Sequence, residues 1–203
     1  MLNILIISIF LTGFFIQIYK IFQYSSYVKF TDRMLYTLLE FQNIVIDRDF
    51  DNEDFRLLHD QLGFSCEKYY LLVGSDRIKL TDQNFKLDIN ALEFLLRNTP
   101  AFVSNISLNN NTIYGVNSFI KITDSIDLVL KRAFSKFKDK KRFNILLLFF
   151  PPVYFSNVMK YTMKYLTYTF DKKLPRTIYS GLEFISTIGG VISFFILLRE
   201  FFK

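Results

Sequence analysis

The hydrophobic pattern opens with residues 2–19, an apolar stretch without a single charged side chain. A helix of about 18–20 apolar residues is just long enough to span the hydrocarbon core of a bilayer. No basic residue precedes the stretch and no small-x-small cleavage site follows it, whereas Lys20, Lys29 and Arg33 come after it. This pattern favours an uncleaved transmembrane helix at residues 1–23 over a cleaved signal peptide.

A second apolar stretch covers residues 177–198, lies between Arg176 and Arg199, and contains one charged residue. It predicts a second transmembrane helix. Small side chains recur in this stretch at a spacing of four, which lets a neighbouring helix approach closely. The predicted helix-packing residues are Ser186, Gly189, Gly190 and Ser193.

Glu183 is the charged residue of that second span. An ionisable side chain inside a membrane is costly and usually faces protein or water, so Glu183 is a candidate for a proton path. The structural alternative places it about 8 Å from the start of the helix, near enough to reach the interface or to pair with Arg176. The structural interpretation is favoured, and both stay open.

Between the two spans, residues 143–170 form an apolar segment that Pro151 and Pro152 interrupt. Proline removes a backbone hydrogen bond that lipid cannot replace, although neighbouring helices can compensate. Pro152 also suits the first turn of a new helix. A kinked third span and a re-entrant turn followed by an interfacial helix are equally compatible with this pattern.

Residues 31–142 alternate polar and apolar positions in the manner of an extramembrane domain. Helical spacing follows Thr31, Asp51, Asp88 and Asp124, and the second of these helices is predicted to stop at Gly63. Four β-rich stretches predict strands at residues 68–73, 77–81, 102–108 and 112–122. The predicted fold class is therefore an integral membrane α-helical protein with an inserted small α+β extramembrane domain.

Composition narrows the function classes. The 203 residues include one Cys and one His, which excludes a disulfide scaffold and a cysteine-based zinc site. No P-loop, G-x-G-x-x-G or G-x-S-x-G motif is present. His59 and Cys66 are interpreted as structural residues, and the acidic stretch at residues 47–54 as a solvated loop and helix start. We therefore predict no enzymatic activity, no catalytic residue, no metal, no cofactor and no small-molecule substrate.

The net charge of +6 is concentrated in one short segment that precedes residues 143–170. Such a cluster next to a membrane attracts anionic lipid headgroups, with cardiolipin the expected lipid in a mitochondrion. The predicted anionic-lipid residues are Lys131, Arg132, Lys136, Lys138, Lys140, Lys141 and Arg142. By the positive-inside tendency, this cluster places the central domain on the cytoplasmic or matrix side.

The chain is rich in Phe (25) and Tyr (12) and poor in Gly (7) and Pro (4), as expected of an AT-rich gene. In composition and layout it resembles the small, divergent membrane proteins encoded in ciliate mitochondrial DNA. No motif carries the resemblance, so it transfers no functional residue. It implies an inner-membrane accessory subunit of cytochrome c oxidase or NADH dehydrogenase, with ATP synthase as the alternative. Its expected partners are other subunits and membrane lipids rather than nucleic acid, although an organellar ribosomal protein is a further alternative.

Overall fold

The computed structural model describes residues 2–51, 53–74, 76–82, 85–108 and 114–169, together with scattered positions between 181 and 199. Helices dominate this part of the chain. In chain order the elements are α1 (Leu2–Asp47), α2 (Glu53–Val73), β1 (Arg77–Asp82), β2 (Phe85–Asn90), α3 (Ala91–Arg97), α4 (Thr99–Ser107), α5 (Val116–Leu146), a 3₁₀ turn (Leu147–Phe149) and α6 (Pro152–Thr169).

The chain divides into two units. Unit 1 contains Met1–Ser25 and Lys138–Lys203, and unit 2 contains Ser26–Phe137. Helices α1 and α5 each contribute residues to both units. The predicted division into a first span and a separate helix after Thr31 differs from the structure, in which α1 is one continuous helix of 46 residues. No Pro or Gly interrupts residues 14–47, so nothing in the backbone forces a break there.

Unit 2 is built around an apolar core. Residues 34, 38, 41 and 45 of α1 recur at helical spacing and are all buried. Full burial of one large apolar side chain contributes about 1.5–3 kcal/mol, so this cluster is the main source of stability in the unit. Its buried members are Met34, Leu38, Phe41, Val45, Leu58, Leu62, Tyr69, Ala91, Leu92, Leu95, Phe102, Ile106, Phe119, Ile122, Ile126 and Leu130.

The Asp76 side chain forms hydrogen bonds with the last turns of α2 and with the start of α3. Its buried carboxylate accepts hydrogen bonds from the Tyr69 hydroxyl (3.1 Å) and from the backbone N–H groups of Ala91 (3.2 Å) and Leu92 (2.9 Å). The last two bonds cap α3 from outside that helix, in place of the Asn90 side chain at its N-cap. Helix α2 itself ends at Val73. The next residue, Gly74, has a φ of +85°, which is natural for glycine, and its N–H donates to the Tyr70 carbonyl.

The predicted α+β domain is wrong, because unit 2 is made of packed helices. The stretches at residues 68–73, 102–108 and 112–122 were predicted to be strands, yet their described residues lie mainly in α2, α4 and α5. Phe102 and Ile106 are buried four positions apart, a helical and not an alternating pattern. Short runs rich in β-branched and aromatic residues fit either structure, and here tertiary packing overrides the local preference.

The extended structure in the described residues is one short hairpin, β1–β2. Its strands are antiparallel and pair from Arg77 with Asn90 to Asp82 with Phe85. The strand predicted at residues 77–81 lies within β1, whereas the stretch at residues 68–73, also predicted to be a strand, is helical. The predicted stop at Gly63 is also wrong, since α2 continues through that residue.

Proline positions two of the remaining helix starts. Pro100 lies in the first turn of α4, where a missing N–H costs nothing, and so it begins a helix rather than only ending the one before it. In the segment at residues 143–170, α5 ends at Leu146 and α6 begins at Pro152. The described part of that segment is therefore two helical pieces separated at Phe150 and Pro151. Its relation to a bilayer stays a prediction.

Within the described residues, the part of α1 at Ile7–Asp47 is long and apolar enough to cross a membrane. A signal sequence or the core helix of a soluble protein satisfies the same criterion of length and composition. Only 11% of its most apolar window is buried in the protein, which is unlike a core helix. The second predicted span, at residues 177–198, lies largely outside the described residues.

Candidate functional site

The most distinctive site in unit 1 is a buried group of polar side chains among apolar helices, which we call the amide cluster. It consists of Gln17 on α1, Asn144 on α5 and Asn157 on α6, with Lys20 of α1 at its edge. The Gln17 side chain is 0% exposed and Asn157 is 3% exposed. Three helices thus meet at side chains that both donate and accept hydrogen bonds.

The cluster is connected by hydrogen bonds at each of its amides. Nε2 of Gln17 donates to the Asn144 backbone carbonyl (2.7 Å) and to Asn144 Oδ1 (3.1 Å). Nδ2 of Asn157 donates to Gln17 Oε1 (2.9 Å), and Nζ of Lys20 donates to Asn157 Oδ1. Among the described residues, every buried side-chain N and O atom has a partner. Such satisfaction matters because an unpaired buried amide costs about 1–3 kcal/mol.

One helical turn before Gln17, helix α1 approaches α6 very closely at Gly13. A Cβ atom at this position would lie 2.1 Å from the backbone oxygen of Tyr154, a distance that no side chain tolerates. The edge of the Tyr154 ring packs against Phe10 and Phe14, with centroids 6.3 and 5.6 Å away, and its hydroxyl donates to the Leu148 carbonyl. Gly13 is therefore what lets the two backbones meet beside the amide cluster.

Many large apolar side chains of unit 1 are exposed. Phe22 is 70% exposed and Phe149 is 82% exposed, and both lie within or next to the charge-free stretches. Other large apolar side chains of the unit share this exposure: Ile4, Ile7, Leu11, Phe15, Tyr19, Phe143, Leu146, Tyr165, Phe184, Ile188, Ile192 and Phe195. Buried amides and exposed phenylalanines are the reverse of the arrangement that water selects.

The predicted anionic-lipid residues all lie on α5. Lys131 forms an ion pair with Asp127 at 2.7 Å, and Lys140 lies over the Tyr24 ring, 5.6 Å from its centroid. Lys141 donates to the Ser25 hydroxyl at 3.2 Å. The others are exposed, namely Arg132, Lys136, Lys138 and Arg142. Two of the seven side chains thus contact α1, and their role with lipid stays a prediction.

The predicted packing and proton-path residues near the C-terminus are mostly outside the described part of the chain. Glu183, Ser186, Gly190 and Ser193 all lie outside it. Gly189 is described, and a Cβ atom there would lie 3.5 Å from the ring of Phe155 on α6, an ordinary contact distance. The prediction for these residues is therefore untested.

His59 and Cys66 lie seven residues apart on α2. The Nε2 atom of His59 donates to the Leu96 carbonyl at 3.3 Å, and its ring packs near Phe41. Burial raises the pKa of the Cys66 thiol, which disfavours the reactive thiolate. The described residues contain no group of three acidic, His or Cys side chains arranged to hold a metal ion.

Sequence reasoning missed the amide cluster and Gly13. The available signal was weak: Gln17 is the one side-chain amide between residues 4 and 22, and Asn144 and Asn157 flank the proline break. Isolated amides within apolar stretches are candidates for contacts between helices. Which of them meet depends on the tertiary packing, which no local pattern specifies.

No protein-family model matches this chain, and the curated proteins and solved structures contain nothing significantly similar to it.

Proposed function

We propose that this protein is a non-catalytic accessory subunit of an energy-converting complex of the mitochondrial inner membrane, anchored in the bilayer by unit 1. The candidate complexes are cytochrome c oxidase and NADH dehydrogenase, with ATP synthase as the alternative. The observation that carries the proposal is the reversed polarity of unit 1, with buried amides and exposed aromatic and aliphatic side chains.

Reversed polarity supports a membrane environment for a physical reason. In water, about 25 cal/mol would be lost for each Å² of apolar surface left exposed, and buried amides would bring little in return. In hydrocarbon, exposure of the apolar side chains of unit 1 carries no such cost. The amides pair with one another there because lipid tails offer no hydrogen-bond donor or acceptor. The surface and the interior of unit 1 are thus both explained by a bilayer.

Contact with other subunits is supported by α2 in unit 2. Leu57, Phe64 and Leu71 recur every seven residues and therefore share one face of this helix. Phe64 is 89% exposed and Leu71 is 78% exposed, although unit 2 has an apolar core of its own. We call this surface the α2 stripe, and we propose that a helix of a neighbouring subunit packs on it.

The location and the side of the membrane depend on different observations. The basic residues 131–142 support a matrix-side unit 2, since positive charge is retained on that side. The mitochondrial part of the proposal is supported by the composition, which resembles that of ciliate mitochondrial proteins. The absence of a P-loop or nucleophile motif supports a non-catalytic role.

The test is separation of native complexes after mild solubilisation of the membranes that contain the protein. We expect the chain to migrate with a megadalton respiratory or ATP synthase assembly, and in-gel activity stains distinguish the candidate complexes. Recovery in the soluble fraction, with ribosomes or as a small free oligomer would contradict the proposal.

A pair of variants sharpens the test of the α2 stripe. The double variant Phe64→Ser, Leu71→Ser removes two exposed contacts without touching the core, so it should fold but leave the large assembly. Leu39→Ser is the matched control, because Leu39 is another exposed apolar residue of unit 2 outside the stripe. If the double variant comigrates with the complex as fully as the control does, the α2 stripe is not the contact surface.

A further inference from the structure

Three lysines from three helices of unit 1 converge on one short section of α1. Lys20 belongs to α1 and its Nζ donates to Oδ1 of Asn157 on α6. Lys160 follows Asn157 by three residues and so lies on the same face of α6. Because Asn157 contacts Lys20, Lys160 lies about one helical turn along α6 from that contact.

Lys140 of α5 joins this group through Tyr24. Its Nζ lies 5.6 Å from the centroid of the Tyr24 ring. Tyr24 is four residues beyond Lys20, so the two share a face of α1 about one turn, or roughly 6 Å, apart. We call Lys20, Lys140 and Lys160 the three-lysine site.

The sequence of unit 1 carries an excess of positive charge. The sequence of the unit contains 12 basic and 4 acidic residues, and Asp139 is its one carboxylate among the described residues. The hydrogen-bond partner of Lys20 is a neutral amide, which orients the ammonium without cancelling its charge. An anion bound here would replace repulsion between lysines with attraction.

The surroundings of the three lysines are apolar and aromatic. Tyr19 and Phe22 are exposed on either side of Lys20, and Tyr161 is exposed next to Lys160. Aromatic side chains of this kind are typical of the level at which lipid headgroups meet hydrocarbon. A ligand that suits both the lysines and the apolar surroundings carries a negative headgroup together with hydrocarbon chains.

We propose that the three-lysine site binds the phosphate headgroup of one anionic phospholipid, whose acyl chains pack along the exposed apolar side chains of α1. This proposal rests on the membrane location in the proposed function. It differs from general attraction by the basic segment of α5, because two of its three cations come from α1 and α6. The headgroup would tie the three helices together at the membrane surface.

The experiment titrates the full chain, purified in a mild uncharged detergent, with dioleoylphosphatidylglycerol and counts bound lipid by native mass spectrometry. We expect one tightly bound lipid per chain. The double variant Lys140→Gln, Lys160→Gln should bind about 30-fold more weakly, since each cation near a headgroup contributes roughly 1 kcal/mol. Lys29→Gln is the matched control, because Lys29 is an exposed cation nine residues beyond Lys20, on the opposite face of α1, and it should bind like the wild type.

Further measurements distinguish a bound phospholipid from free phosphate, and loss of charge from misfolding. Dioleoylphosphatidylcholine and inorganic phosphate should each bind at least tenfold more weakly to the wild type than phosphatidylglycerol does. The double variant Lys140→Arg, Lys160→Arg keeps both charges and should retain the lipid. Equal binding of inorganic phosphate, or equal losses in Lys29→Gln and the Gln double variant, would overturn the site.

The outcome is independent of the test of function, because binding is measured on the isolated chain. Selective binding by a chain that does not comigrate with any assembly would support the site and contradict the accessory-subunit role. Comigration without selective binding would contradict the site alone.

Discussion

Units 1 and 2 are built on opposite principles, although α1 and α5 contribute to both. Unit 2 buries Phe41, Leu62 and their neighbours and has 13 basic and 15 acidic residues. Unit 1 buries Gln17 and Asn157, exposes Phe22 and Phe149, and has 12 basic and 4 acidic residues. The same chain thus follows the rule for water in one unit and its inverse in the other.

We therefore expect the two units to be stabilised by different interactions. In unit 2, removal of apolar surface from water provides the driving force. In the membrane location that we propose for unit 1, hydrocarbon on the outside removes that driving force, so close backbone packing at Gly13 and hydrogen bonds between amides would hold the helices. Variants that target each kind of interaction should therefore affect the units differently.

The largest effect is expected from the core of unit 2. Phe41 is fully buried, stacks on Phe55 and packs near Phe119, so Phe41→Ala should lower the free energy of unfolding of unit 2 by about 3–5 kcal/mol. Urea unfolding of the full chain in detergent, followed by near-UV circular dichroism, measures the change. Leu39→Ala on the same helix is exposed and should cost less than about 1 kcal/mol. Equal losses in the two variants would contradict the assignment of the core.

A smaller effect is expected where helices α1 and α6 touch. Gly13→Ala places a methyl group against the Tyr154 backbone, so α1 must move, at a cost of about 1–3 kcal/mol. Faster amide hydrogen exchange in residues 10–17 would report the loss of contact. Gly63→Ala is the matched control, since no atom lies within 4 Å of the added carbon. Because alanine favours a helix, this control should stabilise α2 by roughly 0.5–1 kcal/mol. Unchanged exchange in Gly13→Ala would show that the backbones do not meet there.

The amide cluster should contribute less than the backbone contact. Gln17→Leu removes the hydrogen-bond partner of Asn144 Oδ1 and of Asn157 Nδ2, and measured hydrogen bonds between membrane helices are worth about 0.6–2 kcal/mol. The same hydrogen-exchange measurement applies. Thr12→Leu, on the exposed side of α1, is the control and should change little. If the amides of the Gln17→Leu variant exchange as slowly as those of the wild type, the amide cluster does not stabilise unit 1.

The smallest expected effect is a change in the stability of unit 2 at alkaline pH. Burial raises the pKa of the Tyr69 and Tyr70 hydroxyls above their ordinary value of about 10. The unfolded chain ionises near pH 10 while the folded phenols stay neutral, so their contribution is complete below pH 10 and is lost as the pH rises further. Tyr70→Phe should make the decline in the free energy of unfolding above pH 10 shallower. An unchanged slope would contradict burial of the Tyr70 hydroxyl.

The sequence predicted the helical character of residues 2–19, of the stripe after Thr31 and of the stretch after Asp124, and the structure is helical there. Periodicity over long segments is a strong signal, because many positions agree. The strands predicted in unit 2 failed because short runs such as residues 102–108 fit a helix or a strand equally well until packing is known. The amide cluster was missed because its three members are up to 140 residues apart.

The most direct test of the reversed polarity places spin labels on one helix in a bilayer. In a Cys66→Ser background, a label replaces Phe15 in unit 1 or Leu39 in unit 2, both exposed on α1. Electron paramagnetic resonance then compares relaxation by oxygen, which concentrates in lipid, with relaxation by a water-soluble nickel complex. We predict that oxygen dominates at position 15 and the nickel complex at position 39. Equal access of the nickel complex to both positions would contradict the assignment of unit 1 to the membrane.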